Sequence, residues 1–299
     1  MHKLWVFYLP VLCLFLTVGV VNAATIYVPN DQPTIQDAIN AASDGDLIQI
    51  LPGTYTEKVN VFKSVTINGK NGKFSTLVKA PSSGDYAFWV TAPNATIRGL
   101  TIRGGTAAAG VLINAQSVKI IGCIVERSGF GIVIGDGGSH SQVTGSDIRY
   151  STESSGLCFE DLVEGTGVSV VSHFGGDITD VNISFNQIHE NDEAGVWVFG
   201  YHDNTSYNGL TAESNILADN GAEDPIGSSN ANRSGFLFQN VSLGSTITLK
   251  NNQIWTTSFP GGEVFIAGPN TPIINATGNL IYPTWVVTMQ GQPKKLILP

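Results

Sequence analysis

Two stretches decide the fold of this chain: Ile183-Ser-Phe-Asn-Gln-Ile-His-Glu-Asn191 and Ala212-Glu-Ser-Asn-Ile-Leu-Ala-Asp-Asn220. Both read apolar-x-x-Asn-x-apolar-x-x-Asn. The same nine-residue register recurs seven times, beginning at Ile97, Ile120, Val143, Ile183, Ala212, Leu249 and Ala276. Its fourth position holds Leu100, Cys123, Ser146, Asn186, Asn215, Asn252 and Asn279, its sixth is always apolar, and its ninth is small, Thr or Asn. Successive copies start 23, 23, 40, 29, 37 and 27 residues apart, so the smallest unit is 23 residues and the excess falls in loops. A unit this short cannot bury its own apolar face and must stack on its neighbours, which predicts a solenoid.

A glycine-led apolar strand usually follows each register: Gly110-Val-Leu-Ile, Gly131-Ile-Val-Ile, Gly156-Leu-Cys-Phe, Gly195-Val-Trp-Val-Phe and Gly235-Phe-Leu-Phe. Alternation places the first and third residues of each triplet inside. Short β-branched runs joined by Gly, Asn and Ser turns, without recurring helical periodicity, predict an all-β fold: a single-stranded right-handed parallel β-helix with a short N-terminal capping helix. A leucine-rich repeat shares the Asn-x-apolar signature, but its Leu-x-x-Leu-x-Leu skeleton is missing. Coils stacked at about 4.8 Å turn equivalent residues into columns. Asn186, Asn215, Asn252 and Asn279 are then expected to form an inward, structural amide ladder.

Residues 1–23 read as a targeting segment, with Lys3, an uncharged run from Leu4 to Val21, and Val21-Asn22-Ala23 as a small-residue cleavage site; an uncleaved anchor is the alternative. The rest divides into an N-terminal cap (24–60), coils (61–288) and a tail (289–299), and the chain is expected to be secreted, periplasmic or at the cell surface. Ile35, Ala38, Ile39 and Ala42 share one helical face, with Thr34 as N-cap, Asp37 three residues on and Gly45 as the stop. Such a helix would cover the open end of the first coil. Cys123 and Cys158 are the cysteines beyond the targeting segment and indicate neither a disulfide nor a metal site.

The run Ile26-Tyr-Val-Pro, Pro33-Thr-Ile-Gln-Asp-Ala-Ile, Asp44-Gly-Asp and Pro52-Gly-Thr-Tyr, followed by the Asn-x-apolar coils, resembles exported β-helix repeat proteins of the pectin-lyase-like superfamily. The NosD-like and carbohydrate-binding sugar-hydrolase-type repeat proteins look most similar. The resemblance implies fold and export, and leaves activity open, since the superfamily includes lyases, hydrolases, epimerases and adhesins. Copper would follow from NosD-like proteins, but His140, His173, His189 and His202 are dispersed and Met289 stands alone. The arginine-rich strand of pectate lyases and the Asp motifs of polygalacturonases are also lacking.

Charge is segregated. Between Tyr150 and Asn232 there is no Lys or Arg but fourteen acids, and this window contains both long insertions. One turn edge carries Glu153, Asp192, Glu193, Glu223 and Asp224; the other carries Glu160, Asp161, His202 and Asp203. Between them an outward aromatic floor is expected from Trp197 and Phe199, with Tyr201 beyond, forming a groove for poly- or oligosaccharide. The edges stand about 16 Å apart across one strand, whereas glycosidase carboxylates lie about 5 to 9.5 Å apart. Catalytic candidates must therefore pair between adjacent coils: Asp192 or Glu193 with Glu223 or Asp224, and Asp161 with Asp203, with His202 as proton carrier. Asp192, Glu193, Glu223 and Asp224 are also the set that would take Ca²⁺. Acids in surface turns equally suit a solvated face.

An acidic face repels polyanions, so a neutral glycan is the expected partner; neither nucleic acid nor, once the targeting segment is removed, a membrane is. The reading that asks least of the sequence is a carbohydrate-binding exported protein using the Trp197 face. A glycan-degrading enzyme with paired carboxylates, and an adhesin or spacer, are the alternatives.

Overall fold

The computed structural model describes residues 23–152, 165–200, 205–221, 235–255, 264–267 and 272–282. Three parallel sheets run the length of the molecule, with ten strands in sheet A, nine in sheet B and eight in sheet C among the described residues. The chain visits A, B and C in turn, which makes a parallel β-helix. Position one of the register forms the inner column of sheet A: Ile97, Ile120, Val143, Ile183, Ala212, Leu249 and Ala276 pair in order. Position six does the same in sheet B, from Ile102 and Val125 to Ile254 and Ile281. The stack begins earlier than the seven repeats indicate, because Ile26, Ile48 and Ile67 extend the sheet A column.

Inward alternation fills the bore with one continuous core that includes Val111, Ile113, Ile132, Ile134, Val196, Val198, Phe236 and Phe238. The open end is closed by helix α1 (Ile35–Ala41), which buries Ile35, Ala38 and Ile39 against Thr25–Val28, Leu47–Ile50 and Val59–Val61. Thr34 Oγ1 accepts from Asp37 N at 3.0 Å and donates to Asp37 Oδ2 at 2.6 Å. The Glu57 carboxylate accepts from Ile35 N and Gln36 N, so the first-turn donors are satisfied by a residue of the next coil.

The amide ladder is present. Asn215 Oδ1 accepts from Asn186 N and Asn186 Nδ2, both at 3.0 Å, while Asn215 Nδ2 donates to Ile183 O and Asn252 Oδ1. Ser146 and Cys123 continue the column: Ser146 N donates to Asn186 Oδ1 and Cys123 N to Ser146 Oγ. A second ladder, at position nine, links Ser151 N to Asn191 Oδ1 and Asn191 Nδ2 to Asn220 Oδ1. Each ladder residue follows a left-handed turn or stands directly after one. At position three the column Gly99, Gly122, Gly145, Phe185, Ser214, Asn251 and Gly278 has φ between 54° and 66°. That left-handed turn directly precedes position four in every copy.

One strand assignment is corrected. The glycine-led strand after Ser151 is not Gly156-Leu-Cys-Phe, which lies outside the described residues, but Gly167-Val-Ser-Val within Thr166–Ser172. Val168 and Val170 pair with Ile132 and Ile134 on one side and with Val196 and Val198 on the other. The selecting feature is close backbone approach: a Cβ at Gly110, Gly167 or Gly195 would lie 2.7–2.9 Å from the carbonyl oxygen of the next glycine in the column. The strand that follows Asp147–Arg149 of sheet B among the described residues is thus Thr166–Ser172 of sheet C, and the one that follows Ile216–Ala218 is Phe236–Gln239. Among the described residues no helix is long and apolar enough to cross a membrane, and the targeting segment lies outside them up to Asn22.

Candidate functional site

Trp197 and Phe199 point outward from sheet C, stacked at 4.9 Å between ring centroids and 17° between planes. The open floor expected there is not found, because Trp197 is 0% and Phe199 5% exposed. They form a second apolar cluster with Val171, Ala194 and Leu237, and Trp197 Nε1 donates to Gln239 Oε1 at 3.2 Å. The reason is visible in the chain: Val196-Trp-Val-Phe is apolar without alternation, the pattern of a strand buried on both faces. Of the acidic candidates, Glu193 is buried and Asp192 half-buried, on the turn entering Val196–Gly200, their backbone N–H groups donating to Gly165 O and Ser151 O. Asp161, Tyr201, His202, Asp203, Glu223 and Asp224 lie outside the described residues, and with them at least one member of each catalytic pair and half of the Ca²⁺ set. Among the described residues no group of three His, Cys, Asp or Glu could hold a metal ion.

A different face carries the chemistry that is described. Position seven of the register is the outward row of sheet B, and successive coils place Lys79, Arg103, Glu126, Arg149, His189, Ala218 and Trp255 beside one another. Strand spacing sets neighbours about 4.8 Å apart, close enough for ion pairing along the row. Glu126, only 5% exposed, accepts from Arg103 Nε at 2.9 Å and from Arg149 Nε and Nη2 at 3.0 and 2.9 Å. Arg149 Nη1 reaches Asp147 Oδ2 at 2.9 Å. His189 lies between Asp147 Oδ1 at 3.1 Å and Glu190 Oε2 at 2.8 Å.

Position eight adds a rim. Arg127, Tyr150, Glu190 and Asp219 all have left-handed φ of 51° to 56°, which turns them out beside the row. The Arg127 and Arg149 guanidinium carbons sit 5.9 and 5.6 Å from the Tyr150 ring centroid, within cation–π range. The Tyr150 ring meets the His189 ring edge-on at 6.2 Å.

These contacts fix the protonation states. Burial alone would raise the Glu126 carboxyl, but hydrogen bonds from Arg103 and Arg149 outweigh it and hold the group below the ordinary carboxylate range. Asp147 follows the same logic, with burial opposed by the His189 hydrogen bond and the Arg149 charge. Hydrogen bonding to Asp147, against burial and with help from Glu190, raises His189. A hydrogen bond to Glu190 and burial raise the Tyr150 phenol. The contacts thus favour the carboxylate forms of Glu126 and Asp147 and the protonated forms of His189 and Tyr150. Beyond His189 the row becomes apolar: Ala218 is followed by Trp255, 37% exposed, with Gln187 and Gln253 exposed and Ile216 half-buried at position five.

Comparison with known proteins bears on the architecture. A sequence profile described as "Right handed beta helix region" matches residues 34–209 and again 94–277. No curated protein matches the sequence. Among solved structures, an alginate lyase from Paenibacillus sp. str. FPU-7 is similar at 20% identity and TM-score 0.58, over 90% of this chain and 98% of that one. Pectate lyase Pel9A is similar at 16% identity and TM-score 0.61, over 87% and 71%. The catalytic unit of a GH87 α-1,3-glucanase from Streptomyces thermodiastaticus strain HF3-3 shares 16% identity and TM-score 0.53, over 82% of this chain and 43% of that one. At these identities the likeness is one of fold. The chain belongs to the family defined by a right-handed β-helix region.

Proposed function

We propose that this protein binds a polysaccharide along the outward face of sheet B, between Arg149 and Trp255, and does so without chemistry. The observation that carries the reading is the row Arg149–His189–Ala218–Trp255. A methyl group stands between an imidazole and an exposed indole whose stems are two rungs, about 10 Å, apart. That notch offers an aromatic wall for the C–H face of a sugar ring. Gln187, Gln253 and Glu190, all exposed, offer amide and carboxylate partners for hydroxyls. The alginate lyase, pectate lyase and α-1,3-glucanase named above support a glycan polymer as the partner of such a solenoid. Binding is favoured over catalysis because the titratable groups of the face neutralise one another. A polymer lying along the coil axis would meet one residue per rung, and export, expected from residues 1–23, would bring it to such polymers.

The test is affinity electrophoresis through gels containing a panel of polysaccharides. At least one polymer should retard the wild type, and Trp255→Ala should weaken that retardation by about ten-fold in affinity, roughly 1.4 kcal/mol. Retardation by none of them, or equal retardation of Trp255→Ala, would overturn the assignment.

A further inference from the structure

The N-terminal half of the same face is cationic beyond its internal needs. Between Lys58 and Tyr150 the chain holds ten Lys and Arg against four acids, Asp85, Glu126, Asp136 and Asp147. Arg103 and Arg149 are consumed by Glu126 and Asp147. Lys79, exposed and next to Arg103 in the row, and Arg127, exposed on the rim, have no carboxylate within ion-pairing distance among the described residues. Lys73 stands close enough to add its charge to the field that lowers Asp147. Lys73 and Lys79 belong to one coil and Arg127 to the coil two rungs on, and the left-handed turn at Arg127 together with its seat over the Tyr150 ring holds its guanidinium at the edge of the proposed binding face.

We infer that the polysaccharide taken by this face is anionic, its acidic groups lying against Lys79 and Arg127 while the polymer continues toward Trp255. The inference rests on the proposed function and replaces the neutral partner expected from the acidic window, because of that window's described acids only Glu190 and Asp219 stand on the rim of sheet B, toward its C-terminal half, whereas the rungs before them carry the surplus cations Lys79 and Arg127. A planar guanidinium fits a carboxylate or a sulfate ester in the same forked way. Both sources share the chemistry of a fixed oxyanion on a sugar ring.

Four polymers separate the possibilities: polygalacturonate, its fully methyl-esterified form, dextran sulfate and dextran. At low ionic strength at least one charged polymer should bind more tightly than its uncharged counterpart, and the difference should close as salt rises from about 0.01 to about 1 M. The double variant Lys79→Gln/Arg127→Gln touches no internal ion pair and should lower affinity for the charged polymer about five-fold per charge removed, with a smaller change for the uncharged one. Preference for polygalacturonate alone identifies carboxylate, for dextran sulfate alone sulfate, and for both equally charge density. Equal retention of charged and uncharged polymers, or an unchanged double variant, overturns this inference while leaving the proposed function standing. Failure to bind all four overturns both.

Discussion

Replacing Asn215 by Ala should show how much of the solenoid depends on its ladder. The side chain is fully buried and makes four hydrogen bonds of 2.8 to 3.0 Å. Truncation leaves the Asn186 N–H without its acceptor and the Ile183 carbonyl without its side-chain donor. Asn186 Nδ2 keeps Val143 O, and Asn252 Oδ1 keeps Asn215 N, so two groups, not four, are stranded. At about 1–3 kcal/mol for each buried unsatisfied group, the loss is about 2–6 kcal/mol. Asn215→Ser should lose less, because a hydroxyl already serves as acceptor at Ser146 two rungs earlier. Urea unfolding by circular dichroism measures the sum. Amide hydrogen exchange at Asn186 measures the local part, which matters in a stack whose coils interact mainly with their neighbours. A loss below about 1 kcal/mol, or unchanged exchange at Asn186, would refute the ladder as a source of stability.

Phe185 sits 64% exposed at φ 57° in a column otherwise held by Gly, Ser and Asn, so Phe185→Gly should raise stability by about 1 kcal/mol in denaturant titration. Glu126→Gln should cost about 2 kcal/mol, since two guanidinium groups lose their shared counter-charge while remaining partly solvated. For pH, Glu126 and Asp147 have lowered carboxyls, so their stabilisation is present above the unfolded pKa and is lost as pH falls through the folded one. His189 is raised, so its contribution is full below about 6.5 and is lost as pH rises through its higher folded value. Denaturant midpoints across pH should therefore fall at both ends, and His189→Gln should remove the alkaline limb and, because His189 helps to lower Asp147, shrink the acid one. Trp197→Ala should destabilise by about 3–5 kcal/mol as a core truncation, whereas Trp255→Ala should leave the unfolding midpoint unchanged within about 0.5 kcal/mol.

Much of the fold could be read from the chain because a solenoid writes its geometry as a period. Positions one and six predicted two inner columns, Asn186 to Asn279 predicted a ladder, and Thr34 with Asp37 predicted a capped helix. What the period could not supply was pairing across insertions. Gly156-Leu-Cys-Phe and Gly167-Val-Ser-Val are equivalent as patterns, and only the stacking of Gly167 between Gly131 and Gly195 selects the second. The site was less legible for a related reason. Acid density drew attention to the turns after Tyr150, while the informative signal was a column: Arg103, Glu126 and Arg149 alternate in charge at position seven, which matters only once strands are neighbours. The continuous apolar run at Trp197 already indicated two-sided burial, and the position-three glycines already marked the left-handed turn that Phe185, Ser214 and Asn251 also adopt.

Hydroxyl-radical footprinting with and without bound polysaccharide tests the central claim most directly, since it reports which side chains a polymer covers. Trp255, Tyr150 and His189 should be protected from oxidation when polymer is added, while Phe74 and Phe174, 85% and 86% exposed elsewhere on the surface, should oxidise at unchanged rates. Protection confined to other faces, with Trp255 oxidised as fast in the complex as in the free protein, would contradict the assignment of sheet B as the binding face.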